Sequence, residues 1–580
     1  MPHADRVGVR QRKLHSRIGG MKELVTTLAS RRHTTTSQWC PLHRLTRLNR
    51  SDIARSVHEL PDQEKPRTES EQVEQVVRRA GRGGLAVSIA KAYFILVGLV
   101  QNILLPRVLG ASGYGGLSRV LSFTSIAYNS VVTTSIQGAS RTVARAEPHE
   151  RPFVIRKVLK FHALAAPAIG LLMWGIAPFV GRALNATHLI PALRIMSGVF
   201  FFYSLYAPLV GVLNGQQRFV WQAGLDICFA TLRTAALVVG AWWLKNLNGK
   251  GIEGAVVGFV SVTAIITLVA APIAGLGKSG SSMPSARLYL RFILPLLAGQ
   301  VLLNSLLQLD ITLLGRFASD AAHEARVPIQ QADALVGSYR ATQNFSFLPY
   351  QLLLSITFIL FPLLAQAHRE GKSSDVALYV SSGIRLALII AGALISVTAG
   401  IPGALLRLIY RPEIADPAVR SMGLLTLGFG AFAILGILTT ILTSLQRERA
   451  GAVITGLAVV LVVVLAALTV RGQPFGVDLL WRMAIATCTG LVLATVAAGM
   501  LVYRAAGTLV SPLSAARVVT SLSACIFAGR LMAPRGIITT LGSAVVLVCI
   551  YFVLLVALRE LNRSDLQHVA IVVKRRGASR

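Results

Sequence analysis

The sequence predicts an all-α integral membrane protein with about fourteen transmembrane helices. Of its 580 residues, 53% are hydrophobic and only 14% are charged, and the mean hydropathy is +0.61. Apolar segments follow one another from Leu85 to Leu558, each close to the ~20 residues that a helix needs to cross a bilayer. These segments lack the strict alternation of a barrel strand, so helices are the elements that pair every backbone group inside the hydrocarbon.

The predicted spans follow in order along the chain and are joined by short loops. An even number of spans places both termini on the same side of the membrane. The basic N-terminal extension, the loop after the second span and the basic tail all lie on that side, which the positive-inside rule predicts to be the cytoplasm. The spans are placed at residues 85–105, 117–139, 161–181, 193–213, 220–244, 252–276, 292–314, 335–364, 382–405, 418–443, 451–470, 480–502, 513–533 and 536–558.

The chain divides into six predicted segments. The N-terminal extension is polar and has no sustained apolar period, so it cannot bury enough surface to offset the entropy of ordering, and we expect it to be disordered. The predicted segments are a disordered basic extension (1–70), an interfacial amphipathic helix (71–84), an N-lobe (85–276), a C-lobe (277–502), helices 13 and 14 (503–560) and a basic cytoplasmic tail (561–580).

A weak internal repeat predicts that the two lobes have the same orientation. Tyr114 follows the first span, and Tyr339 begins the eighth. Arg218 precedes the fifth span and Arg447 the eleventh, at nearly the same spacing as the two tyrosines. A repeat of six spans predicts two six-helix lobes related by a pseudo-two-fold axis along the membrane normal, with a binding site between them.

Several short motifs resemble those of the multidrug, oligosaccharidyl-lipid and polysaccharide exporter superfamily, and within it the Wzx-type polysaccharide flippases. The family has an LG-x-x-x-YG turn between its first two helices. The matching stretches are Leu104-Leu-Pro-Arg-Val-Leu-Gly-Ala-Ser-Gly-Tyr-Gly, Leu309-Asp-Ile-Thr-Leu-Leu-Gly-Arg-Phe in the seventh span, and Gly337-Ser-Tyr and Phe361-Pro-Leu-Leu-Ala in the eighth. The resemblance extends over residues 80–505.

The resemblance implies a transporter whose two lobes enclose a cavity that opens alternately to each side. The implied cargo is a polyprenyl-pyrophosphate-linked oligosaccharide, flipped across the bacterial inner membrane for cell-surface polysaccharide biosynthesis. The alternatives are a lipid II flippase and a multidrug or cation antiporter of the same superfamily. Lys91 in the first span argues against the antiporter, for which acidic residues in the first lobe are expected.

Ionisable residues inside the spans are the candidate site residues, because a charge in the bilayer centre is costly and rarely faces lipid. Lys91, Arg233, Arg340 and Arg385 are the candidates for binding an anionic pyrophosphate, because guanidinium groups bind phosphate in a bidentate manner. Snorkelling to headgroups is the alternative for Arg340 and Arg385. The candidates for coupling a cation or proton are Asp226 and Asp310. Asp226 and Arg233 lie two helical turns apart on one face, so structural ion pairs with other helices remain an alternative.

No motif for enzymatic chemistry is recognised. The five cysteines are scattered, which indicates neither a disulfide framework nor a metal site, and no nucleotide-binding loop is present. We therefore expect neither a cofactor nor catalysis, and despite a formal net charge of +33 we expect no nucleic-acid partner, because no groove-reading motif accompanies the basic residues. The expected partners are the lipid-linked cargo, membrane lipids and a coupling cation or proton, with a single chain as the transporting unit.

Overall fold

A computed structural model describes residues 69–280 and 286–561, with side chains described for Ala90 and from Tyr93 onwards, except at Ala286, Ser355, Phe358 and Ile359. These ranges form α-helices and one 3-10 turn, Thr187–Leu189, and contain no strand. The all-α prediction is confirmed. In chain order the helices are α1 (Glu69–Arg145), α2 (Arg151–Ala183), α3 (Ile190–Gly215), α4 (Phe219–Asn248), α5 (Gly251–Ala274), α6 (Ala286–Glu324), α7 (Ile329–Ser346), α8 (Leu348–Arg369), α9 (Ser373–Gly400), α10 (Pro402–Ile409), α11 (Pro412–Ser444), α12 (Glu448–Thr469), α13 (Asp478–Ala506), α14 (Pro512–Met532) and α15 (Ile537–Ala557).

Within the described ranges, twelve helices are long and apolar enough to cross a membrane, so the protein is a multi-pass membrane protein. The predicted count of fourteen is not confirmed. The predicted first and second spans both lie in α1, which consists of two helices that meet at a kink at Gly110 (φ 76°, ψ −179°). The predicted eighth span is divided between α7 and α8 at Phe347, two residues before Pro349, which lacks an N–H group for a helical hydrogen bond.

The turn predicted between the first two spans is therefore a kink. The sequence predicts a break between residues 105 and 117, and within that interval the chain leaves helical geometry at Gly110 alone, where the two helices of α1 meet directly. Glycine adopts a positive φ without the steric cost of a Cβ, so one residue is enough to change the direction of the chain.

Three predicted segments lie wholly or partly outside the described residues. The structure describes none of residues 1–68 and 562–580, which include nearly all of the predicted extension and tail. The backbone of residues 71–84 is helical as part of α1. The amphipathic character predicted for that helix depends on side chains that are not described, and it stays a prediction.

Buried apolar residues form two clusters. The first lies mainly among α1–α5 and includes Phe200 and Phe259. The second lies mainly among α6–α13 and includes Tyr339 and Phe429. The clusters interleave, because residues of α6, α10 and α11 such as Met422 belong to the first, so the lobe boundaries 85–276 and 277–502 stay predictions.

The turns before α4 and α12 have the same backbone geometry, as the repeat predicts at this position. Gln217 and Gln446 have φ values of 59° and 60°. The Arg218 N–H donates to the Leu213 carbonyl at 2.9 Å, and the Arg447 N–H donates to the Leu442 carbonyl at 2.8 Å. The same turn also follows α2 at Asn185 and α6 at Arg326, so this geometry by itself does not establish the repeat.

Candidate functional site

The part of α1 that follows Gly110 faces the second half of the chain through polar side chains. The Asn304 amide on α6 donates to the Ser130 hydroxyl at 3.3 Å. The Asn344 amide on α7 donates to the phenol oxygens of Tyr114 at 3.1 Å and of Tyr410 at 3.0 Å. The contacts with Ser130 and Tyr114 bridge distant parts of the sequence, so α1 forms one wall of the contact between the two halves of the chain.

The same helix crosses α7 with almost no space between the two backbones. A Cβ atom on Gly115 would lie 1.6 Å from the Asp333 carbonyl oxygen, and one on Gly337 would lie 2.8 Å from the Ala111 carbonyl oxygen. Both glycines belong to the motifs quoted above. Their lack of a side chain is what lets the two helices approach this closely.

An ion pair lies beside this crossing. The Arg119 guanidinium donates to Asp333 Oδ1 at 2.7 Å, and the two side chains are 3% and 4% exposed. His188 Nε2 lies 2.8 Å from Asp333 Oδ2, and Arg119 also donates to the Leu184 carbonyl at 2.9 Å. One carboxylate therefore joins α1, α7 and the 3-10 turn after α2.

A second set of polar contacts continues this connection at the end of α6. Arg316 pairs with Asp320 at 3.0 Å and donates to the Ala183 carbonyl at 2.6 Å, and Asn185 donates to Asp320. We call the end of the bundle that carries the Arg119–Asp333 pair and these contacts the closed end. Here the two halves of the chain are joined by buried charge and by close helix packing.

Arg340 lies on α7, two turns from Asp333, and is only partly buried. Its guanidinium donates to the amide oxygens of Gln308 at 3.1 Å and of Gln343 at 2.7 Å. Both partners are neutral. In the described chain no carboxylate forms an ion pair with it within 4.0 Å, and its charge acts on the neighbouring carboxylate of Asp310.

Asp310 is the buried carboxylate next to Arg340. It is 1% exposed and accepts hydrogen bonds from the Ile311 N–H at 2.8 Å and the Tyr339 hydroxyl at 3.2 Å. The Gln343 amide donates to both carboxylate oxygens, at 3.0 and 3.2 Å. Gln343 therefore binds the carboxylate of Asp310 with its nitrogen and the guanidinium of Arg340 with its oxygen.

Arg233 lies on α4 within a cluster of aromatic rings. Its guanidinium carbon is 4.6 Å from the centre of the Phe259 ring, which is a cation–π contact. Its Nε is buried and has no hydrogen-bond partner among the described residues. The phenol of Tyr128, on α1, lies close enough to Arg233 and to Arg340 for both charges to act on it. Two of the four predicted cations, one from each half of the chain, therefore act on the same phenol.

The other predicted site residues have different surroundings. Arg385 on α9 forms an ion pair with Glu560 at 2.8 Å, next to α14 and α15. The carboxylate of Asp226 lies near the phenols of Tyr203 and Tyr206, on which its charge acts. Lys91 lies in α1, but its side chain is outside the described set. The roles predicted for these three residues stay predictions.

Sequence reasoning misses the Arg119–Asp333–His188 cluster. From the sequence, Arg119 is a residue near a span end that either snorkels to headgroups or lines the cavity, and Asp333 lies just before the predicted start of the eighth span. The available signal is that Arg119 follows the motif glycine Gly115 by four residues and Asp333 precedes the motif glycine Gly337 by four, whereas His188 lies in a loop without such a motif. No group of three His, Cys, Asp or Glu side chains in the described ranges is arranged to hold a metal ion.

Residues 80–368 match the model of the family described as "Polysaccharide biosynthesis protein". No curated protein matches the chain at a significant level.

Solved structures of similar fold include three transporters. The lipid II flippase MurJ in an inward closed conformation has a TM-score of 0.66 and 12% identity, covering 82% of this chain and 99% of that chain. An inward-facing multidrug resistance MATE transporter has a TM-score of 0.58 and 15% identity, and the match covers 72% of this chain and 96% of that chain. A MOP superfamily transporter from Pyrococcus furiosus has a TM-score of 0.51 and 16% identity, and the match covers 73% of this chain and 95% of that chain.

These identities are low, so the similarity shows the fold alone. It agrees with the family match and with the twelve long apolar helices of the described ranges. Residues 80–368, just under half of the chain, therefore match the polysaccharide biosynthesis protein family, and the described chain has the fold of the MurJ and MATE transporters.

Proposed function

We propose that the protein flips a polyprenyl-pyrophosphate-linked oligosaccharide across the bacterial inner membrane by alternating access, for the synthesis of a cell-surface polysaccharide. Both termini are cytoplasmic in this proposal, so the closed end faces the outside. The family match supports the polysaccharide pathway. The fold supports alternating access, since transporters of this kind bind cargo between repeated halves.

One observation favours an anionic cargo over a cationic one. Arg233 and Arg340 approach a common residue, Tyr128, from the two halves of the chain. Neither guanidinium is paired with a described carboxylate, and the Nε of Arg233 has no partner at all among described residues. Two such groups are matched to a pyrophosphate, which carries several negative charges and binds guanidinium groups in a bidentate manner.

Aromatic side chains supply the rest of the proposed site. The rings of Tyr128 and Tyr203 lie 5.6 Å apart, and those of Tyr206 and Phe229 are stacked at 6.0 Å. The Tyr206 hydroxyl is buried without a hydrogen-bond partner in the described chain. An unsatisfied buried hydroxyl costs free energy, and a polar group of the cargo would satisfy it.

The closed end supplies the gate in this proposal. The Gly115–Gly337 crossing and the Arg119–Asp333 pair hold the outer end shut, and both must separate before cargo leaves.

Asp310 is the proposed coupling residue. A proton or cation on its carboxylate changes its hydrogen bonds with Gln343, and Gln343 in turn holds Arg340. Cargo binding is thereby linked to the ion gradient through one amide side chain.

Transport by the purified protein in proteoliposomes tests the proposal. Arg340→Gln and Arg233→Gln should each abolish flipping of a polyprenyl-pyrophosphate oligosaccharide, and Arg340→Lys should restore only part of it, because an ammonium lacks the bidentate fork. Arg420→Gln is the matched control, because Arg420 is largely exposed and pairs with Asp478. Normal transport by the Arg340 and Arg233 variants would contradict the proposed site.

The cargo itself distinguishes the alternatives. Each reconstituted variant should be offered the lipid-linked oligosaccharide, lipid II and a lipophilic cationic dye in turn. If lipid II alone is transported, the cargo is lipid II, as for the structurally similar MurJ, and the proposed oligosaccharide is wrong. If the dye is still exported after both arginines are replaced, the protein is a cation antiporter and the proposed function is wrong.

A further inference from the structure

A second basic site is lined by none of the residues proposed above to bind the cargo. It is a cavity of about 730 Å³ between the first turns of α2, the segment that follows α5 and the start of α6. That volume is within the range of pockets that bind small molecules. Four cations line it, Arg156, Lys157, Lys160 and Lys278, and none of the described lining residues is acidic.

The positions of the α2 residues follow from helical spacing. Phe153, Lys157, Phe161 and Leu164 recur at intervals of three or four residues and therefore share one face of the helix. No ion pair within 4.0 Å joins Lys157 or Lys160 to a carboxylate in the part of the chain that the structure describes. Their charges are not neutralised by the protein there, so a ligand anion is the natural counterpart.

The walls of the cavity are built from packed aromatic groups. Tyr289 is buried, its ring is 5.3 Å from that of Phe161, and its hydroxyl is 3.0 Å from Nε2 of the buried His162. These contacts join α2 to α6. They give the cavity a defined shape, which distinguishes it from a row of lysines in contact with bulk headgroups.

The segment after α5 closes the remaining side. The Lys278 N–H donates to the Pro152 carbonyl at 3.0 Å. Gly277 has a φ of 69°, and a Cβ on it would lie 2.3 Å from the same carbonyl oxygen. Because residue 277 has no side chain, the segment lies flat on the first turn of α2 and holds Lys278 over the cavity.

Apolar groups border the charged part. Leu164 and Leu276 line the cavity and are 70% and 52% exposed, as expected for side chains that contact lipid. The site therefore presents cations beside a surface suited to acyl chains. A ligand that matches both carries phosphate on a lipid tail.

We propose that this cavity binds the phosphate headgroup of an anionic lipid, with Lys157 and Lys160 as its main phosphate contacts. Basic pockets between membrane helices bind lipid headgroups in this way. Two lipids carry the required chemistry, a phosphatidylglycerol of the surrounding bilayer and a polyprenyl pyrophosphate. The site is separate from Arg233 and Arg340, so its existence does not depend on the function proposed above.

Lipid binding to the purified full-length protein in neutral detergent tests the site. Phosphatidylglycerol, polyprenyl pyrophosphate and phosphatidylcholine are titrated separately and counted by native mass spectrometry. The double variant Lys157→Gln, Lys160→Gln should weaken binding of at least one phosphate-rich lipid by roughly fivefold for each charge removed. The control removes two exposed cations elsewhere, Arg449→Gln with Arg504→Gln, and should bind like the wild type.

The lipid whose binding is lost identifies the source of the phosphate. Loss of phosphatidylglycerol binding assigns the site to membrane lipid, and loss of polyprenyl pyrophosphate binding assigns it to the lipid carrier. Equal affinities in the double variant and the control would overturn the proposal.

A photoactivatable form of each lipid provides a readout in the wild type, independent of how well the variants fold. Crosslinks should map to residues 153–164 and 276–280. Crosslinks spread evenly over the surface of the bundle would overturn the proposal.

Discussion

Arg119 and Asp333, 214 residues apart in the sequence, form an ion pair at 2.7 Å in which both side chains are almost fully buried. The pair joins α1 to α7 beside the crossing of Gly115 and Gly337. Burying two charges is costly, and good geometry with additional hydrogen bonds is needed to offset that cost. Here His188 and the Leu184 carbonyl provide those bonds.

Removing one partner of this pair should weaken the closed end. Asp333→Ala leaves the Arg119 guanidinium buried without its counter-charge, which destabilises such sites by roughly 3–5 kcal/mol. The nearby Ser118 is 5% exposed. In a Ser118→Cys variant without the natural cysteines, Asp333→Ala should accelerate labelling by a water-soluble maleimide.

The double variant Arg119→Ala, Asp333→Ala is the control, because it removes both charges together. Its labelling should be slower than that of Asp333→Ala alone, since no uncompensated charge remains buried. Identical labelling in the wild type and in Asp333→Ala would show that the pair does not hold this end shut.

The glycine crossing gives a steric prediction. Gly115→Ala places a methyl group 1.6 Å from the Asp333 carbonyl oxygen, so α1 and α7 must move apart, at a cost of about 1–3 kcal/mol for overpacking. We expect expression to persist and transport to fall, because the outer end no longer closes. The same labelling assay measures the closure.

Gly98→Ala is the matched control, because nothing lies within 4 Å of its added Cβ. It should transport like the wild type. If Gly115→Ala also transports normally, the helices separate at this point without consequence, and close approach is not required for the cycle.

Asp310→Asn tests coupling. The substitution keeps the size of the side chain but removes its charge and its capacity to bind a proton or cation. We expect cargo binding to persist while transport loses its response to an imposed proton or sodium gradient, both of which should be tried in proteoliposomes. Asp478→Asn is the control, since Asp478 is 73% exposed. An unchanged gradient response in Asp310→Asn would exclude Asp310 as the coupling group.

Glu560, just after α15, gives a pH prediction. Burial raises its pKa, but the hydrogen bond from Ser514 and the ion pairs with Arg385 and Arg517 outweigh burial and hold the pKa below its ordinary value of 4.5. A lowered pKa stabilises the folded state above about pH 4.5, and that stabilisation is lost as the pH falls through the folded-state pKa. The contacts that dock α15 on α9 should therefore weaken in acid.

Glu560→Gln should lower stability at neutral pH by about 1.5 kcal/mol, because the two arginines are about one-third exposed and water partly replaces the lost pairs. Thermal unfolding of both proteins between pH 7 and pH 3 measures the effect. The difference between them should shrink below about pH 4.5. A difference that stays constant over this range would mean that the charge of Glu560 does not stabilise the fold.

Much of the fold was predictable because hydropathy and helix length are local properties. The order of the helices, their all-α class and the starts of α4 and α12 are read from apolar runs and from motifs such as Gln217-Arg218. Helix ends were less predictable. The kink at Gly110 and the division at Phe347 depend on how each helix packs, and hydropathy does not report packing.

The candidate site was predictable only in part. Arg233 and Arg340 are candidates because a charge in a membrane span is costly, and their role in binding stays a prediction. Arg385 meets the same criterion, yet the structure pairs it with Glu560, a residue from the end of the described chain. The type of a charged residue and its depth in the membrane do not determine which residue it forms an ion pair with.

Sequence alone establishes that this protein crosses the membrane many times and that its spans carry cations, and it indicates that its helices repeat. Which of those charges meet depends on tertiary packing. Arg119 and Asp333 are ordinary residues in the sequence, and they become a buried pair because Gly115 and Gly337 allow two helices to cross in close contact. Apolar runs are encoded within one segment, whereas such a contact depends on how residues from distant parts of the chain pack together.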